Sequence, residues 1–464
     1  MTHNSRTIVL ERDVDRTVFR GRFSSRARLL ATQSALAVMA QGLRMGVGLL
    51  IIPISLAYLG KERYGLWMLT LSTLAFVGLL DAGVSPTLKN KMAESRARQD
   101  EEAFHYYASG GWLLACSVIV LGALLLPFLA LVDWPSVYGL TGQVSSTEAR
   151  RLTLACFEIS VVTVALSFVE ALFAAQMLLG TVYLYNSVAS LAGAAAVLAA
   201  VHLRAGLVTL AITPSLSIVA ARIALLFSAY RRGMIRLSMP FSHVGPLLRD
   251  VLPNSVSFIG IQVTHVVIGA VPNLITSRFS GLSSVTILAI GQRLATLPLL
   301  FVAAVVPVLW PAFTIAWAKG DVSWIRTQYA RLVAATVAIL TLYACGVLLA
   351  GPTVLRVWLR GSVSVPRPIL AVLGVWMVLG GVGYWVSTLL HSITDLHIQV
   401  VCYAAQAVVA AVLGVLLGSA YGLVGIAIGM TLALVLANLA PLGWRVYSKL
   451  NQRARAESLR CAAS

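Results

Sequence analysis

The sequence predicts an all-α membrane protein: twelve transmembrane helices in two six-helix bundles, with the N- and C-termini cytoplasmic. Three observations predict it. Apolar runs of about 20 residues, the length that crosses a bilayer, recur along all 464 residues. Charged residues make up only 11% of the chain, against about 25% in soluble proteins. Lysine and arginine also alternate between heavily and sparsely loaded loops, which assigns each loop a side. An outer-membrane barrel is excluded, because its strands alternate with period two and give a much weaker signal.

The elements follow in order. Residues 1–28 are polar and Arg-rich, with no short apolar core before a small-residue cleavage site, so they read as a mobile or interfacial cytoplasmic arm and not as a signal peptide. The first bundle, 29–230, holds apolar segments Thr32–Tyr58, Tyr64–Ala82, Gly111–Leu131, Leu152–Ala175, Val182–His202 and Leu207–Tyr230. The tight polar turn Gly60-Lys61-Glu62-Arg63 joins its first two helices. Residues 231–251 form a basic cytoplasmic linker. The second bundle, 252–446, holds Val256–Phe279, Val285–Phe313, Leu332–Ala350, Ile369–Leu390, Ile398–Gly418 and Leu423–Trp444. Residues 447–464 are a cytoplasmic tail.

Orientation rests on the basic residues. With the N-terminus inside, 23 of the 35 lysines and arginines fall in the arm, the inner loops and the tail, and nine fall in outer loops. The remaining three, Arg44, Arg222 and Arg293, lie inside helices. The halves also resemble each other: Pro53 precedes Leu59-Gly60 as Pro272 precedes Ser280-Gly281, and in each half the next helix gives way to a charged stretch with aromatics. Six helices per half keep both in one orientation, a parallel repeat common among transporters.

Several function classes are excluded. The net charge of +18 is explained by inward-facing bases, and no soluble domain exists to form a nucleic-acid surface. Cys116, Cys156, Cys345, Cys402 and Cys461 form no CxxC pair and read as inert thiols. No HExxH, Gly-rich phosphate loop or Gly-x-Ser-x-Gly elbow is present. His391 and His397 are spaced wrongly for one helix face, so no metal site is assigned. A membrane glycan ligase or polymerase needs a sizeable outer loop for its acceptor, and the two longest here, Val132–Arg151 and Gly351–Pro368, are short. The chain therefore reads as no enzyme, with a membrane glycan ligase or polymerase kept as the alternative behind transport.

The buried charges carry the functional argument. A charge at the centre of a membrane helix costs about 2.5–3.5 kcal/mol on insertion scales, so it faces a wet cavity or a partner. On the first helix Ser34, Gln41, Arg44, Gly48 and Ser55 fall within about 80° at 100° per residue, one polar or small stripe with Arg44 near mid-depth. On the eighth, Thr286, Arg293 and Thr296 share an arc. Two central arginines in opposite halves suit a cleft that binds an anion, and guanidinium grips phosphate bidentately. The competing reading is an Arg–Glu pair buried as a static staple. It is strongest for Arg222, which could snorkel or pair with Glu170. Gln41, Arg44, Arg222 and Arg293 are the candidate substrate-binding residues. Glu158, Glu170 and Asp81 are the candidates for coupling to H+ or Na+, and no cofactor is expected. The seventh helix is polar as well, with Asn254, Gln262, Thr264, His265 and Asn273.

Tyr58-Leu59-Gly60, Tyr64-Gly65-Leu66-Trp67, Leu80-Asp81-Ala82-Gly83-Val84 and Lys89-Asn90 resemble the opening of Wzx-type oligosaccharide and polysaccharide flippases. These form a branch of the multidrug/oligosaccharidyl-lipid/polysaccharide exporter (MOP) superfamily. Ala289–Leu294, Pro311-Ala312-Phe313 and Lys319-Gly320-Asp321-Val322-Ser323-Trp324 resemble the start of that family's second half. The resemblance implies a MATE-like fold in the bacterial inner membrane. It implies a flippase that moves an undecaprenyl-diphosphate-linked oligosaccharide from the cytoplasmic to the periplasmic leaflet by alternating access, for surface or exopolysaccharide biosynthesis. Arg44 and Arg293 match first- and eighth-helix arginines proposed to grip the diphosphate in related lipid flippases. Family members often carry an acid in the seventh helix near Asn273, which this chain lacks. The implied partners are the lipid-linked oligosaccharide, membrane lipids, and the polysaccharide polymerase and export machinery; nucleic acid is not among them. An ion-coupled multidrug or cation exporter on the same fold is the main alternative, and a scaffold without transport is a third. Central arginines argue against a cationic cargo, although Glu158 and Glu170 suit one.

Overall fold

The computed structural model describes residues 5–81, 84–140, 144–176, 178–236, 244–393 and 397–463, and no strand occurs among them. The helices are α1 (Ser5–Thr73), α2 (Val84–Ala97), α3 (Glu101–Leu131), α4 (Trp134–Tyr138), α5 (Ser146–Ala165), α6 (Phe168–Ala175), α7 (Leu179–His202) and α8 (Leu207–Arg231). After the linker come α9 (Val244–Thr296), α10 (Leu299–Lys319), α11 (Val322–Trp358), α12 (Arg367–Ser392), α13 (His397–Ala433) and α14 (Ala440–Ala463). A 3-10 stretch, Leu74–Asp81, follows α1, and a π stretch, Leu434–Leu439, joins α13 to α14. Nine helical stretches among the described residues are long and apolar enough to cross a membrane. The chain is a multi-pass membrane protein.

Single glycines divide three long helices: Gly60 (φ 75°) in α1, Gly281 (φ 76°) in α9 and Gly422 (φ 57°) in α13. A side chain disfavours positive φ, so glycine is the residue that allows each break. The break in the first hairpin is thus narrower than the four-residue turn the sequence suggested, because helix resumes directly after Gly60. Helix 4 of the sequence reading is itself interrupted at Leu166 and Ser167, between α5 and α6.

The repeat shows in the backbone. Gly60 and Gly281, Gln99 and Gly320, and Gly139 and Arg360 are pairs with positive φ, each 221 residues apart. Asp100 and Asp321 share the same offset, and each caps its helix, α3 or α11, by accepting the N–H three residues on. An N-cap carboxylate meets a donor the helix leaves free, so this turn is specified twice.

The buried core falls into three parts. One part is common to both halves and includes Ile52, Leu56 and Trp67 from the first with Val285, Leu355 and Ile369 from the second. The glycine breaks lie beside it, and we call this the far end. Two further clusters lie at the linker end. One belongs to the first half and includes Leu88, Phe104, Phe168 and Leu225. The other belongs to the second half and includes Phe313, Ile325, Leu389 and Leu442. The lobes therefore share a core at the far end and have separate cores at the linker end.

Polar contacts reinforce the far-end seam. Thr286 Oγ1 donates to the Lys61 carbonyl at 2.6 Å, and Ser277 Oγ donates to the Tyr138 carbonyl. Gly65 packs so closely that a Cβ there would lie 2.1 Å from the Leu282 carbonyl oxygen. At the linker end, the start of α9 is docked on the first lobe and is not a free tether. Leu247 is fully buried and occupies the space a Cβ on Gly110 would need. Lys91 Nζ lies 2.7 Å from Asp250 Oδ1, and Tyr107 Oη donates to Asp250 Oδ2 at 2.5 Å. These two donors hold the Asp250 carboxyl below its ordinary range.

Candidate functional site

A cavity of about 360 Å³ opens between the lobes, lined by Gln41, Arg44, Met45, Gly48 and Leu49 of α1 and by Arg293, Thr296, Leu297 and Leu300 from α9 and α10. The stripe on the first helix and the arc on the eighth thus meet on one cavity. Gln41 Oε1 accepts from Arg44 Nη2 at 2.6 Å, one turn apart on the same face, which holds the guanidinium against the helix. Arg293 is exposed to the cavity and makes no ion pair among the described residues. The lining carries two cations and no carboxylate. Two guanidinium groups sharing one apolar-walled space repel each other, and an anion between them relieves that repulsion. The repeat does not generate the pair: 221 residues beyond Arg44 stands His265, whose side chain lies outside the described residues, as does that of Asn254.

Arg222 sits elsewhere. Its Nε donates to Glu170 Oε1 at 2.9 Å, its Nη2 lies 2.8 Å from the same oxygen, and its Nη1 donates to the Thr163 carbonyl. Asn186 Nδ2 approaches Glu170 Oε1 at 3.4 Å. This network ties α8 to α5, α6 and α7 within the first lobe, and none of its members lines the cavity. The break at Ser167 makes it possible, since it turns Glu170 toward α8. Asp81 accepts from Ser85 Oγ at 2.6 Å, and Ser85 Oγ lies 3.1 Å from Ser167 Oγ at the same break. Glu158 is exposed on α5 and forms no ion pair among the described residues. None of these three acids lines the cavity. In the second lobe, Asn273 is buried and donates to the Gly269 carbonyl at 3.3 Å, while Asn438 in the π stretch donates to Gln406 Oε1 at 2.8 Å. Among the described residues no group of three or more His, Cys, Asp or Glu side chains is placed to hold a metal.

The two lobes, joined at one end, thus flank a cationic cavity. Solved structures share this fold. A multidrug resistance MATE family transporter of the MOP superfamily, in an inward-facing conformation, superposes with a TM-score of 0.71 at 15% identity, over 90% of this chain and 99% of that one. An outward-facing conformation of a transporter of that family and superfamily gives 0.57 at 14% identity, over 91% and 96%. A MOP superfamily transporter from Pyrococcus furiosus, described as having a binding pocket of reverse polarity that suggests a different function, gives 0.57 at 15% identity, over 92% and 95%. Comparison with curated proteins gives no match. The sequence matches the profile of the polysaccharide biosynthesis protein family over residues 30–317. The chain belongs to that family, and its resemblance to the Wzx-type flippases holds at that level. Its family is one of polysaccharide biosynthesis, and its fold is shared with MOP superfamily transporters.

Proposed function

We propose that this transporter flips a lipid-linked oligosaccharide across the bacterial inner membrane, from the cytoplasmic to the periplasmic leaflet. Arg44 and Arg293 hold the diphosphate of its undecaprenyl carrier. The observation that carries the reading is an inter-lobe cavity lined by both arginines and by no acid. A diphosphate supplies the missing counter-charge and offers oxygens for bidentate bonds. Family membership supports a glycan cargo. Nine spanning stretches among the described residues, three of them divided at glycine, support a reading of twelve spans. The shared far-end core, the separate linker-end cores and the better fit to an inward-facing relative support a state open toward the linker end. The basic bias places that end in the cytoplasm. A doubly charged head group leaving a negative interior gains roughly 2 × 2.3 kcal/mol per 100 mV if uncompensated, so H+ or Na+ is needed only to reset the carrier.

A charge-assisted bond contributes about 1.5–3 kcal/mol. Arg44→Ala or Arg293→Ala should therefore weaken function roughly 10- to 150-fold, and Arg44→Lys should fall between Arg44→Ala and the parent. Complementation of a flippase-null strain at matched protein abundance, scored by surface glycan, reads this out. Normal glycan export by both alanine variants refutes the diphosphate role. Loss of drug resistance with intact glycan export supports the multidrug alternative instead.

A further inference from the structure

Two prolines each remove a backbone hydrogen bond beyond the arginines, and one helix meets both gaps. Pro53 lies in α1 beyond Arg44. Proline has no N–H, and its ring displaces the carbonyl four residues back, here that of Leu49. Trp358, the last residue of α11, donates its Nε1–H to the Leu49 carbonyl at 3.1 Å. Pro298 stands between α9 and α10, beyond Arg293, and deprives the Leu294 carbonyl in the same way. Tyr343, also on α11, donates its Oη–H to that carbonyl at 3.0 Å. A backbone carbonyl left bare in a membrane interior is strongly disfavoured, so each donor answers a defined need. Leu49 itself lines the cavity with Arg44.

The two bonds differ in reach. Tyr343 to Leu294 stays within the second lobe. Trp358 to Leu49 crosses between lobes, and the Trp358 ring packs on the shared far-end core. We propose that Trp358 is a positioning residue for Arg44 and the latch between the lobes. Its N–H holds the cavity face of α1 opposite Arg293 while the far end is closed, and the bond is surrendered when the lobes part there. The opened far end admits water, which then satisfies Leu49. Pro53 makes the latch possible, because an ordinary residue would satisfy Leu49 within α1 in both states. The inference rests on the carrier reading above.

Leu282, buried at the seam against Gly65, reports far-end opening. In the full-length protein in membranes, with the native cysteines replaced, the labelling rate of Leu282→Cys by a water-soluble maleimide tracks the open population. Trp358→Phe keeps the ring and removes the donor, and should raise labelling about 3- to 18-fold, from the average to the largest effect measured for hydrogen bonds between membrane helices. In a Pro53→Ala background the restored N–H makes the latch redundant, so Trp358→Phe should change labelling less than about twofold. Tyr343→Phe, which removes no inter-lobe bond, should also stay within about twofold. Equal labelling of the parent and Trp358→Phe overturns the latch. So does an equal increase in the Pro53→Ala background, which points to general loosening. A parent that never labels, beside an exposed control cysteine that does, refutes the rocking carrier itself and the latch with it.

Discussion

Replacing Arg222 by methionine strands the Glu170 carboxylate. The guanidinium gives that carboxylate two contacts, at 2.9 and 2.8 Å, and when removed leaves it, among the described residues, only Asn186 at 3.4 Å. Breaking one side of a buried ion pair typically costs about 3–5 kcal/mol. The Glu170 side chain is 29% exposed, so water can reach the stranded charge and the lower end, about 3 kcal/mol, applies. For a lobe of this size that is a fall of about 6–12 °C in melting temperature. Glu170→Gln should cost less, since its amide oxygen still accepts from Arg222. The double change Arg222→Met with Glu170→Leu removes both charges and should return most of the loss, because apolar replacements of buried pairs are often neutral or better. Thermal unfolding of the purified proteins, followed by glycan export at matched abundance, completes the test. If the double variant is as unstable as Arg222→Met alone, the pairing argument fails. If it is stable but exports nothing, the charges take part in transport and are more than a staple.

Two further outcomes are expected. Asp250 has a carboxyl held below its ordinary value of 3.8, first by the Lys91 hydrogen bond and then by Tyr107. Its contribution is complete above that value and is lost as pH falls through the lower folded value. The docked linker should therefore resist trypsin at Arg231, Arg232 and Arg236 at pH 7 in the parent and yield faster in Asp250→Asn. Equal cleavage rates would show that the Leu247 contact alone holds it. For Gly65, a Cβ 2.1 Å from the Leu282 carbonyl oxygen must move about 1.2 Å to reach an ordinary C–H···O distance. Gly65→Ala should thus wedge the far-end seam apart and raise maleimide labelling of a cysteine at Ser283, and unchanged labelling would show that the seam relaxes locally.

The architecture and the cavity were largely legible in the sequence, because both depend on periodicity. Arg44 and Gln41 share a face at helical spacing whatever the fold, and Arg293 lies on a similar polar arc, so only their convergence awaited the structure. Gly60 and Gly281 announced themselves as turns. The limits appear where a residue's role depends on a partner far away in the chain. Trp358 and Leu49 are 309 residues apart, and an indole at a helix end looks like any interfacial aromatic. Arg222 and Glu170 could be suspected as a pair from sequence, yet the choice between pair and ligand depended on the interruption at Ser167, which no glycine or proline marks. Gly65 looked like part of a family motif, but the 2.1 Å approach that demands it comes from the opposite lobe. The basic linker hid Leu247 and Val251 among charges, although both are fully buried, Leu247 in the notch at Gly110.

That notch bears on how the molecule is made. The linker-end core of the first lobe draws on residues from Leu88 to Val251, and among the described residues nothing later in the chain joins it. Synthesis proceeds from the N-terminus, and domains close in that order. Once Val251 has left the ribosome, the first lobe can seal its inner floor with the linker as the last plank, before any of the second lobe exists. The far-end core cannot form so early, since it waits for Val285, Leu355 and Ile369. Assembly thus runs in two stages, with the cavity formed only at the second.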